Sequence, residues 1–161
     1  MRLNRLIYLM IFLGCTALLG FGMYLENVKD LEPCPLCIVQ RIAFVITALL
    51  SLLAAIHGPR RIGARIYSTF ITLVSFGGAA VAARQVYLQH LPPEEIPECG
   101  PGLEYMLNTY PLTETLKIML TGTGDCAEVV WTFLGLSIPS WALICFSLIV
   151  VVSVTQVFTA K

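Results

Sequence analysis

An all-α integral membrane protein, a four-helix bundle with two loops on one side of the bilayer, is the fold class this sequence predicts. Three observations predict it. Of the 161 residues, 57% are hydrophobic and 12% charged, about half the charged fraction of an ordinary soluble domain, and the mean hydropathy is +0.81. Four apolar runs are each long enough to cross a hydrocarbon layer of about 30 Å as a helix. The charges fall unevenly between the segments that join those runs. A core of this size cannot hide so much apolar surface from water, so a soluble enzyme is excluded. With ten Lys plus Arg against ten Asp plus Glu, a nucleic-acid binder is excluded too, because no net charge is left to pair with phosphates.

The first span, residues 6–25, has no charged side chain. Arg2 and Arg5 precede it as in a signal peptide, but the run exceeds the about 7 to 15 residues of a signal core and no Ala-x-Ala-like site closes it, so retention is expected. Residues 38–56 form the second span, with Gln40 and Arg41 at its start. The third, residues 66–88, carries Arg84 near its end, and the fourth covers residues 141–158. A short link remains at 57–65, with loops at 26–37 and 89–140.

Orientation follows from the charges in these connections. Arg2, Arg5, Arg60, Arg61, Arg65 and Lys161 lie on one side with no acid, whereas Lys29, Lys117 and all ten acids lie on the other. By the positive-inside rule both termini are cytoplasmic and the two acidic loops are outside. Tyr8 and Tyr67 near the inner ends, and Tyr24, Tyr87 and Trp141 near the outer ends, suit the interfacial preference of aromatic rings. Within the long loop, Pro92, Pro93, Pro97 and Pro101 keep the first part irregular. Behind Pro111, Leu112, Leu116, Met119 and Leu120 recur at helical spacing, which predicts a short amphipathic helix. It can lie on the membrane with Glu114 and Lys117 turned to water, or pack on its own loop.

Cysteine placement carries the chemistry. Cys15 and Cys145 fall inside spans and read as packing residues. Cys34, Cys37, Cys99 and Cys126 share the outer, non-reducing side, where an even number favours two disulfides. The simplest pairing is Cys34 with Cys37 and Cys99 with Cys126, although four cysteines allow three connectivities. A Cys34-Pro35-Leu36-Cys37 ring closes almost no chain and so adds little as a staple, whereas its two-residue spacing is the one used for thiol exchange. Pro35 suits the first turn of a helix, which puts Cys34 near the N-cap and Cys37 in the first turn, where unpaired N–H groups favour a thiolate. Arg41 follows Cys37 by one turn on the same face, able to stabilise a thiolate or to bond a carbonyl of a lipid-soluble molecule. The bland alternative for Arg41 is snorkelling.

Other chemistries fail on spacing. Ile38 follows Cys37 where covalent haem attachment needs His, and no second Cys-x-x-Cys completes a zinc or iron–sulfur set. No glycine-rich nucleotide motif is present. His57 and His90 read as surface residues.

Together these residues resemble the disulfide bond formation protein B (DsbB) family of bacterial inner membranes over nearly the whole chain. The likeness rests on four spans, on Cys34-Pro35-Leu36-Cys37 followed by Gln40-Arg41, on Cys99 after a Pro-rich stretch, and on Gly124-Asp125-Cys126-Ala127-Glu128 before Trp131 and Phe133-Leu134-Gly135-Leu136. What it implies is a redox relay of the kind that keeps the periplasm oxidising. A periplasmic thioredoxin-like thiol oxidase, DsbA-like, would attack Cys99 of a Cys99–Cys126 disulfide. Cys126 would then pass the electrons to the Cys34–Cys37 pair, and Cys37, beside Arg41, would meet a membrane quinone, ubiquinone or menaquinone. The resemblance also places Arg84 and Gln85, at the outer end of the third span, beside the quinone. Snorkelling is the competing account of Arg84.

Two other readings compete. Vitamin K epoxide reductase-like proteins also join a Cys-x-x-Cys and a loop cysteine pair to quinone chemistry, but there the loop pair comes first. A non-enzymatic membrane scaffold with a disulfide-stapled loop is the second.

Overall fold

The computed structural model describes residues 2–29, 33–97 and 109–159. Four long helices dominate: α1 (Arg2–Lys29), α2 (Pro35–His57), α3 (Arg61–Leu88) and, after a shorter α4 (Leu112–Thr121), α5 (Ile138–Thr159). Each of the four is long and apolar enough to span a membrane. Every long helix leaves large apolar side chains such as Met10, Leu49, Leu73 and Leu148 on the outside, the surface expected of a bundle solvated by lipid.

The helices run past the apolar windows read from the sequence. The second begins at Pro35, with Cys34 in extended conformation as its N-cap, because Pro at the first helical position needs no N–H partner and has a preset φ. Gly58, at φ 57°, stops α2 in the left-handed conformation, and α3 starts at Arg61, so the link predicted at 57–65 shrinks to a tight turn. The fourth span starts three residues before its predicted window, at Ile138.

Packing divides the interior into three levels. Midway, Ile11 and Cys15 of α1, Phe44 and Ala48 of α2 and Phe146 of α5 form one cluster, with the Phe44 and Phe146 rings stacked at 3.9 Å. Toward the basic end, Tyr8, Ala54, Ala55 and Ile71 form a second. The third, Cys34, Leu36, Leu88 and Cys126, joins the head of α2 to the end of α3 and to a loop segment far along the chain.

Helix α4 exists where the periodicity places it, but its buried positions are Thr115 and Met119, packed toward α2, while Leu116 and Leu120 remain about half exposed. Glu114 and Lys117 are exposed. A small antiparallel hairpin, β1 (Thr132–Phe133) with β2 (Leu136–Ser137), was not legible in the sequence. Its two-residue turn, Leu134-Gly135, has both φ values positive, 52° and 79°, the arrangement that matches the twist of the flanking strands. Ser137 Oγ ties the hairpin back to α3 through Gln89 Oε1 at 2.7 Å.

Candidate functional site at the cysteine end

The head of α2 presents two faces. Leu36 and Gln40, one turn apart, are buried toward α3, whereas Cys37, Arg41 and Phe44 line a cavity that Gln40 also borders. Helical periodicity alone produces this split, since positions i, i+4 and i+7 share a side and their neighbours point some 100° away.

Three of the four predicted redox cysteines meet here. Cys34 Sγ lies 2.9 Å from Cys37 Sγ, and Cys126 packs against Cys34 and Leu36. All three are free thiols, so the Cys-x-x-Cys pair is seen as a hydrogen-bonded dithiol. Cys99, and with it the expected pairing to Cys126, lies outside the described residues. Cys15 and Cys145 are free thiols within spans, and Cys145 contributes to the cavity wall.

What delivers Cys126 to α2 is the turn after α4. Gly122 sits at φ 82°, and a Cβ there would stand 2.6 Å from Leu88 Cδ1 and 2.9 Å from Leu36 Cδ1. Only glycine combines that backbone conformation with that closeness. The following Gly124–Cys126 turn of 3-10 helix then seats the sulfur.

Electrostatics distinguish the sulfurs. The Cys126 thiol is lowered to about 6, chiefly because the Cys34 thiol hydrogen-bonds to it, helped by the backbone N–H groups of Leu36 and Thr123. The Leu36 N–H is one of the unpaired donors of the first turn of α2. The helix start therefore serves Cys126 as well as Cys37. Cys34 is raised, first by its hydrogen bond to Cys126, then by that to Cys37 and by burial. Cys34 is thus the protonated member between two sulfurs.

Gln85 of α3 holds the pair from the other side. Its Nε2 donates to both Cys34 Sγ and Cys37 Sγ at 3.2 Å, and its Oε1 accepts from Gln40 Nε2 at 2.7 Å. Gln40 fixes which way the amide faces, because a flipped Gln85 would set two NH2 groups against each other. Gln40 has no role in the sequence reading beyond its place in the motif. Its signal was present, however: a polar residue one turn below Leu36, inside an apolar run, needs a buried partner.

The cavity has a volume of about 530 Å³ and lies between α1, α2, α5 and the hairpin. Leu18, Leu25, Phe44, Trp131, Phe133 and Trp141 give it apolar and aromatic walls, and the polar groups in it are few, Cys37 and Arg41 among them. Trp131 packs edge-on to Phe21 at 5.6 Å, and Trp141 Nε1 donates to Phe133 O at 3.1 Å. Neither Arg84 nor Gln85 lines it. Arg84 is exposed, stacks over Tyr87 and reaches Thr121 O at 3.4 Å, while Gln85 is turned inward to the thiols. Position at the end of a span does not reveal which way a side chain leaves the helix. Among the described residues no cluster of His, Cys, Asp and Glu could hold a metal ion.

Fold and site together define a multi-pass membrane protein that holds a thiol cluster at the head of one span, beside an apolar cavity with one arginine. The family model described as "Disulfide bond formation protein DsbB" matches residues 4–156. The chain belongs to that family. Among its relatives, Disulfide bond formation protein B of Hahella chejuensis is 57% identical over 143 residues, covering 89% of this chain and 87% of the relative. The protein of the same name from Methylococcus capsulatus is 57% identical over 142 residues, 88% of this chain and 87% of its own. Disulfide bond formation protein B 1 of Pseudomonas aeruginosa is 49% identical over 142 residues, with the same coverage of each chain.

Proposed function

We propose that this protein reoxidises a DsbA-like dithiol oxidase and delivers the electrons to a quinone of the bacterial inner membrane. The observation that carries the reading is the contiguity of Cys126, Cys34, Cys37 and the Arg41-lined cavity. It is a path from a loop sulfur to a lipid-side pocket. In the resting oxidised protein, Cys99 pairs with Cys126 and Cys34 with Cys37. A partner thiolate attacks Cys99, and Cys126 leaves as a thiolate that the backbone N–H groups of Leu36 and Thr123 can hold. Cys126 then attacks Cys34, the sulfur it touches, and Cys37 leaves as the thiolate facing the cavity. The second partner thiol resolves the mixed disulfide at Cys99, and Cys99 in turn re-forms its bond to Cys126, releasing Cys34.

The cavity walls fit a flat apolar ring, and Arg41 offers N–H donors to a carbonyl oxygen. When bound there, a quinone supplies a two-electron, two-proton acceptor. Cys34 and Cys37 give up two electrons as their disulfide re-forms, and the partner's two thiol protons balance those of the quinol. Glu114 and Lys117 are exposed, and so are the apolar Leu116 and Leu120, which supports α4 as an interfacial helix. Both termini are cytoplasmic and the cysteine end periplasmic, as the charge asymmetry indicates.

The test is anaerobic mixing of the purified protein with reduced DsbA-like partner and a soluble quinone. One quinol per partner disulfide is expected. Its rate should fall on acidification, as protonation of Cys126 removes the nucleophile. Partner oxidation without quinol would overturn the quinone step, and bridges that survive unchanged would overturn the whole reading and favour the stapled scaffold.

A further inference from the structure

Arg41 does not stand free at the cavity. Its Nη1 forms an ion pair with Glu26 Oε2, and its Nη2 donates to Gly22 O at 3.4 Å. Gly22 and Glu26 are four residues apart, so α1 offers a carbonyl and a carboxylate on one face, one turn apart. Both residues line the cavity with Arg41. A guanidinium has five N–H donors in a fixed plane, and two of its nitrogens are engaged by α1. The remaining donors are therefore presented in one orientation, and a long side chain that would otherwise sample many rotamers is ordered before any ligand arrives. The contact does not depend on residue 22 being glycine, since a Cβ there would come no closer than 3.8 Å to the guanidinium. Charge counts as well: alone, Arg41 would be a cation at the edge of a span, and Glu26 an anion in the same place, each costly unless paired.

We propose that Glu26 is a positioning residue for the quinone pocket, acting through Arg41. The inference rests on the cavity being the quinone site. α1, which carries none of the four relay cysteines, thereby takes part in the reaction: it aims the arginine that α2 supplies. The pair is about one-third exposed, with side-chain exposures of 32% and 38%. Its effect on affinity should accordingly be that of a partly screened pair, about two- to fivefold.

A simple neutralising role would change stability without changing ligand affinity, so the two are separable by measuring both. Trp131 and Trp141 are the chain's two tryptophans, and both line the cavity, so quenching of intrinsic fluorescence reports quinone binding without turnover. A short-chain soluble quinone is titrated into the wild-type protein, Glu26→Ala, Glu26→Gln, Arg41→Met and the Glu26→Ala/Arg41→Met double variant, and each melting temperature is measured without quinone. Expected are a Kd raised about two- to fivefold in Glu26→Ala, a smaller rise in Glu26→Gln, which keeps an acceptor oxygen, and a double variant no weaker than Arg41→Met alone. Exchange with the partner at Cys99 should be unchanged. An unchanged Kd in Glu26→Ala, even with a lowered melting temperature, or a double variant whose loss is the product of the two single losses, overturns the positioning role. Absence of saturable quenching in the wild-type protein would instead overturn the assignment of the cavity itself.

Discussion

At the basic end of the bundle, Tyr8 of α1 hydrogen-bonds Ser68 Oγ at 2.9 Å, Ser68 reaches Gln156 Oε1 of α5 at 3.2 Å, and Arg5 Nε donates to Ala55 O at 2.9 Å. At the cysteine end, Gln40, Gln85 and Arg41 also bond across helices, but there Gln85 bonds two sulfurs, and Arg41 bonds Glu26 and Gly22 of the cavity wall. Polar groups inside a bilayer must find partners in either case. The difference lies in what the partners can do. Hydroxyls and backbone carbonyls keep one protonation state, so the basic end is a clasp. Sulfurs change protonation and bonding, so the same kind of cross-helix bonding at the other end follows the redox state.

This contrast can be broken by substitution. The largest effect is expected at Arg41. Replacement by Met, similar in length but uncharged, removes a charge-assisted hydrogen bond worth about 1.5 to 3 kcal/mol, which corresponds to a quinone-dependent rate about 10- to 150-fold lower. Stopped-flow measurement of quinol formation checks this, with exchange at Cys99 unaffected as the control. Equal loss in both half-reactions would mean that Arg41 serves the fold.

Gln85→Met should have a smaller and different effect. It removes the donor to both Cys34 and Cys37, and Gln85 does not itself line the cavity, so transfer from Cys126 to the pair should slow by about three- to tenfold while quinone Kd changes little. A changed Kd with unchanged transfer would return Gln85 to the cavity.

Tyr8→Phe, at the clasp, should not alter either half-reaction. Loss of its interhelical hydrogen bond should cost about 0.6 to 1.5 kcal/mol of stability, visible as a lower melting temperature in detergent. A redox defect there would show that the two ends are coupled.

How much of this the sequence contained differs by level. The four spans were legible because lipid demands long apolar runs, and Cys34 at the N-cap was legible because Pro35 marks a first helical turn. The hairpin at 132–137 was not: each strand has two residues, too short for any alternation to register. Likewise Cys34, Cys37 and Arg41 declare themselves by spacing, but the juxtaposition of Cys126 with Cys34 depends on Gly122 seating against Leu36 and Leu88, a contact across about ninety residues of chain that no local pattern encodes. Gln85 illustrates the remaining limit. Its place at the end of α3 was clear, whereas its side chain's direction depended on Gln40, which bonds it from another helix.

The claim on which the relay depends is that Cys126 meets Cys34 and not Cys37. In a Cys37→Ser/Cys99→Ser variant, Cys34 and Cys126 are the remaining cysteines of the cysteine-end set. Mild oxidation in membranes, followed by alkylation and peptide mapping, measures their contact directly. Rapid, near-complete formation of a Cys34–Cys126 disulfide is the predicted result. Two thiols that stay separately alkylatable after oxidation would contradict the account.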